Sequence, residues 1–429
     1  MKSNFFSVSN IKSLFFENKT LRQTILKNTF WLWVAEAVDR GISFLVIILL
    51  ARHFGPTIYG QWAFALSFVA TFAILADFGF NTLTVREVAR DKSKTAQYID
   101  NMLAMKLILG LISFGLIVFS IKFFNKDAEI VKLVYGLGVY IIIYTFCTFF
   151  RAIFQANEKM QYEAACRAVQ SISLLFLVVF FIINKSPIIN ISYAYIISAI
   201  LGTVVFLIVI WNRFSNFFYE IDIKICKKIL SEAWPFALAT AFAVIYGQVD
   251  TIMLSIMKTD LVVGWYNSAY ALVAVLSIIP GLLMTAVYPK LSDSFLNSKP
   301  LFVRLYKASL KYIFLVSIII FPLLFLFSRP IILLLYGSAY INSVIIFRIL
   351  LSFSFFLFVN SALTYVLYAM GRQISCIKIM MLGLVFNIIL NLLFIPEYSY
   401  IGASIAAIIP QILICLLFFS SINKKLSSK

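Results

Sequence analysis

Among the ionisable side chains that stand inside or at the ends of long apolar runs of this 429-residue chain, Glu36, Asp39, Arg40, Asp77, Asp250 and Arg348 are the candidates for chemistry. A charge held in hydrocarbon costs about 2.5–3.5 kcal/mol or more, so such residues pair with one another, face a water-filled cavity, or handle an ion or a charged ligand. Glu36 is separated from Asp39 and Arg40 by three and four residues, which puts it on the same helical face as both. Two readings of this trio stand. It is a neutralised salt bridge pinning its helix to a neighbour, or a polar patch on a cavity in which Arg40 meets an anion such as phosphate. Arg348 lies near a span end, where its head can snorkel to the interface or reach a ligand. Glu36, Asp39, Arg40 and Arg348 are therefore the candidate cavity residues. Asp250, with Tyr246 and Gln248 beside it, has three fates open: structural hydrogen bonding, proton carriage or cation binding. Asn387 and Asn391 are four residues apart on one face. Their amide oxygens and a carboxylate suit a small hard cation such as sodium, and Asn serves equally as glue between helices. Asp77 precedes Phe78-Gly79-Phe80-Asn81 and is expected to cap or orient the segment that follows, together with Arg86.

The elements carrying these residues follow from composition. The chain is 62% hydrophobic and 13% charged, with a mean hydropathy of +0.98. A soluble domain is nearer half apolar and a quarter charged, so lipid is the solvent for most of this surface. At about 20 apolar residues per crossing, the sequence predicts an all-α polytopic membrane protein with about 12 transmembrane helices. They fall at 28–51, 57–80, 102–124, 131–151, 168–184, 190–211, 232–257, 262–289, 309–327, 343–369, 374–395 and 400–421. The segments 81–101, 152–167 and 213–231 are mildly amphipathic and are expected to lie along the membrane surface. The predicted organisation is an N-terminal segment 1–27, a six-helix lobe 28–212, a linker 213–231, a second six-helix lobe 232–422 and a tail 423–429. Gly60 and Gly264 open spans two and eight, and Arg86 and Lys290 follow each by 26 residues, a soft internal repeat. Halves with an even helix count share one orientation. Pro235, Pro280, Pro289, Pro322 and Pro410 fall within or at the ends of spans and are expected to bend them.

The net charge of +18 is distributed by topology. Basic residues crowd alternate gaps, among them Lys2, Lys12, Lys19, Arg86, Arg90, Lys106, Arg151, Arg167, Lys224, Lys290, Arg372 and Lys429, whereas the intervening gaps are sparse. This bias predicts both termini in the cytoplasm. No basic run is interleaved with stacking aromatics, so nucleic acid is not expected as a partner. Five cysteines without a CxxC pair, and a single histidine, His53, argue against a disulfide framework or a zinc site. No GxxxxGK[ST] or HExxH is present, and no long loop could house a catalytic domain. The chain is expected to be no enzyme and to carry no cofactor.

A set of motifs then resembles a known family. Ala51-Arg52-His53-Phe54-Gly55-Pro56, Tyr59-Gly60 and Ala76-Asp77-Phe78-Gly79-Phe80 resemble the start of the polysaccharide flippases. So do Trp234-Pro235, Gln248-Val249-Asp250-Thr251, Val263-Gly264-Trp265-Tyr266, Tyr288-Pro289-Lys290, Gly371-Arg372, and Asn387 to Asn391 with Ile395-Pro396. The similarity, to the O-antigen and capsule repeat-unit flippases of the multidrug/oligosaccharidyl-lipid/polysaccharide exporter superfamily, covers nearly the whole chain. It implies two six-helix lobes around a central cavity, an undecaprenyl-diphosphate-linked oligosaccharide as substrate, and drive from a sodium or proton gradient. It also implies work alongside a polysaccharide polymerase and chain-length proteins. Relatives place a basic residue near Arg40 and form a sodium site from positions matching Asp250, Asn387 and Asn391, although a carboxylate of that site is Asn here. A multidrug or metabolite cation-coupled antiporter on the same scaffold is the competing expectation.

Overall fold

A computed structural model of the protein describes residues 21–213 and 221–427. The expected basic residues Lys2, Lys12, Lys19 and Lys429, and residues 214–220 of the expected linker, lie outside them.

The described residues are helices joined by short turns, with no strand among them. In hydrocarbon each backbone polar group must be satisfied within its own segment, and continuous helices do so. The helices are α1 (Leu21–Asp77), α2 (Phe80–Arg90), α3 (Thr95–Ser120), α4 (Ala128–Ala156), α5 (Met160–Ile183), α6 (Ile188–Arg213) and α7 (Ile223–Met257). They continue with α8 (Asp260–Leu276), α9 (Ile278–Asn297), α10 (Lys299–Leu326), α11 (Ser328–Tyr336), α12 (Ser343–Ala369) and α13 (Gln373–Ser427). Nine helical stretches are long and apolar enough to cross a membrane, and the bent α12 makes ten. Two of these are pairs of spans joined across a break. Helix α1 turns at Gly55, whose φ of 75° precedes Pro56, and α13 turns at Ser399, with a φ of 52°. Each half counted as its own crossing, the chain has about 12 spans, as its hydropathy predicts. Leu111, Phe119, Phe123, Phe176, Leu326 and Leu334 are exposed. In water such a display would be a liability, and in lipid it is the matched solvent surface.

By their contacts the chain divides into two compact units: Met1–Val46 with Phe72–Thr240, and Ile47–Thr71 with Ala241–Lys429. The core of the first gathers Phe80, Leu83, Phe149, Phe150, Phe154 and Phe206 against Ile229 and Ala233 of α7. Gly79, in the left-handed region with φ 74°, lets α1 end and α2 begin directly against α7. A Cβ there would stand 2.6 Å from the Ala237 amide nitrogen and 2.9 Å from the Ala233 carbonyl, so any larger residue would push the helices apart. In the second unit the residues Ile47–Thr71 of α1 pack with α8 and the turn before α12. Gly60 and Gly264 bring backbones together, since a Cβ on Gly60 would lie 1.9 Å from the Asp260 oxygen and one on Gly264 1.9 Å from the Pro56 oxygen.

The described structure corrects several local expectations. Residues 152–167 are not a surface segment. Helix α4 runs to Ala156 and α5 starts at Met160, so only a tight turn separates them. The amphipathic stretch 81–101 resolves into α2, whose Phe80, Leu83, Thr84 and Val88 are buried, a turn in which Asp91 accepts from Ser93, and the start of α3. Asp77 does not engage Arg86. It accepts an ion-paired hydrogen bond of 2.8 Å from Lys106, a fully buried side chain over the rings of Phe80 and Phe149, and Arg86 turns to Glu87 and Glu232.

Candidate functional site

The first unit encloses an open cavity of about 680 Å³ lined by Glu36, Arg86, Arg151, Gln155, Glu163 and Arg167, among others. Each comes from a different stretch of the sequence for a local reason. The short turn between α4 and α5 lets both helices continue past the length a span requires, so their polar ends, Arg151 with Gln155 and Glu163 with Arg167, face one another across it. Gln155 donates to Glu163 at 3.1 Å, closing the turn from the side. Arg86 arrives on α2, stacked over Phe236 at 5.2 Å. Glu36 arrives on α1.

The charges are organised around Arg167. Its Nη2 lies 2.6 Å from Asp39 Oδ2 and 2.8 Å from Glu36 Oε2, and Ser171 donates to the other Asp39 oxygen at 2.5 Å. Glu36 also accepts from Arg40 one turn along α1. Arg151 donates from Nη2 to the Tyr144 hydroxyl at 2.7 Å, its guanidinium over that ring. The Nε–H groups of Arg151 and Arg167 and the Oε2 of Glu163 are buried without a hydrogen-bond partner. Such orphans are rare in folded proteins and mark sites where a water, ion or ligand completes the network. The lining carries three guanidinium groups against two carboxylates. An anion with several acceptor oxygens matches it, since guanidinium forks bind phosphate and carboxylate through paired N–H groups.

Of the candidate cavity residues, Glu36 lines this space and Asp39 stands behind it on Arg167, whereas Arg40 is half exposed and is not among the described lining residues. Arg348 belongs to the second unit, where its Nε donates to Ser328 at 2.7 Å and its head stacks on Phe325. The cations that do line the cavity, Arg86, Arg151 and Arg167, read in the sequence as loop charges. The available signal was the amphipathic segment 152–167 itself, whose polar face is the cavity wall.

In the second unit the structure brings together Asp250, Asn387 and Asn391. Asp250 Oδ1 accepts from Asn387 at 3.0 Å and from Asn391 at 2.6 Å, and its Oδ2 accepts from Tyr266 at 3.0 Å. All four side chains are buried. Asn387 donates also to the Ala406 carbonyl at 3.0 Å, the group that Pro410, lacking an N–H, leaves free. Asn391 Oδ1 is a buried acceptor without a partner. A small pocket, largely apolar, is lined by Asp250, Tyr246, Tyr270 and Gln411 with Val273 and Leu350, and Gln411 donates to the Tyr246 hydroxyl at 2.7 Å. Among the described residues no cluster of three or more His, Cys, Asp or Glu could hold a metal ion. The Asp250 carboxylate is met by amide N–H groups of Asn387 and Asn391 and by the Tyr266 hydroxyl, and Asn387 Oδ1 accepts in turn from Asn391 at 3.2 Å.

About 12 apolar crossings and two compact helical units define a multi-pass membrane protein. Residues 25–295 match the model of the family described as "Polysaccharide biosynthesis protein", and the chain belongs to that family. Curated relatives align over most of both chains. An uncharacterized membrane protein of Methanocaldococcus jannaschii is 23% identical, covering 92% of this chain and 97% of its own. A putative O-antigen transporter of Shigella flexneri is 24% identical, with coverages of 92% and 96%. The capsular polysaccharide biosynthesis protein CapF of Staphylococcus aureus is 23% identical, with 92% and 98%. Among solved structures, an inward-facing MATE-family multidrug resistance transporter of the MOP superfamily superposes with a TM-score of 0.74 at 15% identity, covering 92% of this chain and 99% of that one. The lipid II flippase MurJ superposes with a TM-score of 0.68 at 17% identity, covering 91% and 87%.

Proposed function

We propose that this protein is a flippase that carries an undecaprenyl-diphosphate-linked oligosaccharide from the cytoplasmic to the outer leaflet for O-antigen or capsule assembly, by alternating access. The observation that supports this most directly is the cavity with Arg86, Arg151 and Arg167 on its wall. A flippase must give the polar headgroup a hydrated, positively charged path while the lipid tail stays in hydrocarbon, because an unpaired diphosphate there is prohibitively costly. A cavity for cationic drugs would carry the opposite excess of charge. Names of relatives point the same way: a putative O-antigen transporter, a capsular polysaccharide protein and a probable glycan biosynthesis flippase.

Drive from a cation gradient belongs to the same reading. Asp250, the carbonyl oxygens of Asn387 and Asn391 and the Ala406 carbonyl would hold sodium, with the amides turned from donors to acceptors. The orphaned Asn391 Oδ1 fits that role. A proton on Asp250 is the other occupant the donor set accepts. Both termini in the cytoplasm follow from the basic-residue bias.

The test is lipid-linked oligosaccharide in a deletion strain, each membrane face probed separately. Repeat units trapped on the cytoplasmic face are expected. Normal translocation with drug hypersensitivity would replace this reading with a multidrug antiporter.

A further inference from the structure

We propose that Glu36 and Asp39 are place-holding carboxylates: they occupy Arg167 while the cavity is empty, and an incoming phosphate displaces them and frees α1. The inference rests on the headgroup reading of the cavity and assigns these acids a part in it.

Three features of the geometry carry it. First, Arg167 is shared by two carboxylates on one nitrogen, at 2.6 and 2.8 Å, while its Nε–H points to no partner. The guanidinium fork is thus only partly used. A phosphate could take Nε–H and Nη2 together, a paired geometry stronger than contacts crowded on one nitrogen. Second, each carboxylate has somewhere to go. Glu36 keeps Arg40, and Asp39 keeps the Ser171 hydroxyl at 2.5 Å. Breaking a buried pair by removing one partner costs heavily because the other charge is stranded. Here neither acid is stranded when Arg167 leaves. Third, both acids sit on α1, and Arg167 sits on α5, so the exchange releases one helix from another. Helix α1 is the element that changes unit: up to Val46 it clusters with the first unit, and from Ile47 to Thr71 with the second. Loosening its hold at Glu36 and Asp39 is therefore a route by which an occupied cavity alters the docking of α1.

The place-holder role has a signature that packing lacks. Removing an acid from a purely structural ion pair weakens the fold and whatever binds nearby. Removing a competitor strengthens binding of the anion it competes with. The probe is farnesyl diphosphate, a short polyprenyl diphosphate, titrated into the purified full-length protein. Asp39→Asn and Glu36→Gln are each expected to tighten binding about tenfold, the scale of a charged hydrogen bond no longer in competition. Ser171→Ala, which takes away the fallback of Asp39, is expected to weaken it severalfold, and Arg167→Ala at least tenfold. Glu36→Gln keeps the shape of a partly exposed side chain and serves as the independent variant should Asp39→Asn fail to fold. Binding by the wild-type protein with no gain in any folded acid variant overturns the place-holder alone. No binding by the wild type overturns the headgroup reading and this proposal with it.

Discussion

Adding one methyl group at Gly60 tests how residues 47–71 are held. Gly60→Ala places a Cβ 1.9 Å from the Asp260 oxygen, 2.8 Å from the Gly264 nitrogen and 2.9 Å from the Asp260 carbonyl carbon. All three are backbone atoms, so no side chain can rotate out of the way and the helices must part. Overpacking of this kind costs about 1–3 kcal/mol. Spent against the docked state, that raises the undocked fraction about 5- to 150-fold. Gly264→Ala meets the Pro56 oxygen at the same 1.9 Å and should do the same. Because either methyl breaks the same contact, the double variant should fall well short of the sum, as coupled sites do. The assay is the rate at which Ala63→Cys reacts with a maleimide, in a protein whose five native cysteines have been replaced. Ala63 lies one turn beyond Gly60 and is 5% exposed, so the probe starts protected. Gly41→Ala is the control, since nothing stands within 4 Å of its Cβ. Labelling that rises equally with Gly41→Ala, or not at all with Gly60→Ala, would refute the argument that this glycine contact holds the segment.

Three further outcomes are expected. Lys106→Met strands Asp77 and should cost about 3–5 kcal/mol of stability, read as a fall in the thermal midpoint of the purified protein, with much of it regained when Asp77→Asn is added. Arg167→Ala should slow translocation at least about thirtyfold, the scale of a charged hydrogen bond to the headgroup lost, whereas Arg40→Ala, an exposed pair, should change it no more than about fivefold; equal losses would restore Arg40 as the principal cation. Asp250→Asn should abolish the dependence of translocation on the sodium or proton gradient while leaving farnesyl diphosphate binding at the wild-type level, and gradient-dependent transport in that variant would remove Asp250 from coupling.

The apolar period of the spans was legible because length and hydropathy alone decide a crossing. The meeting of Asp250 with Asn387 and Asn391 was not legible from spacing, which cannot place two helices side by side; only the family resemblance pointed to it. What else stayed hidden was set by turns. Whether residues 152–167 form a surface helix or extend two spans depends on the three residues after Ala156, and a mildly polar stretch fits both. Arg151 and Arg167 therefore counted as loop charges, where the tight turn makes them cavity wall. Lys106 likewise fits a basic-residue tally by position, yet it is sealed against Asp77 because α2 folds over it. Arg348 drew attention as a lone cation, and only its partner Ser328 shows that it holds α11 to α12.

These cases separate two kinds of intramembrane cation. Helix breaks and helix ends leave carbonyls without an N–H partner in their own helix, and side chains donate to them. Beside the Gly55–Pro56 break, Ala51 accepts from the Tyr340 hydroxyl at 2.8 Å. Leu334, at the end of α11, accepts from Arg52 at 2.9 Å, and Pro396, ahead of the Ser399 break, accepts from Lys258 at 2.8 Å. Arg372 closes on the Ser421 carbonyl in the same way, at 2.9 Å. A backbone carbonyl cannot swing to a second partner as a side-chain carboxylate can, so these contacts are fixtures of the fold. Arg167 ends instead on carboxylates that keep second partners, and it and Arg151 retain unpartnered N–H groups beside a cavity. Exchange of partners is cheap there and costly at the helix breaks. The acceptor, more than the depth of the charge in the membrane, therefore tells which arginines are free to meet a ligand.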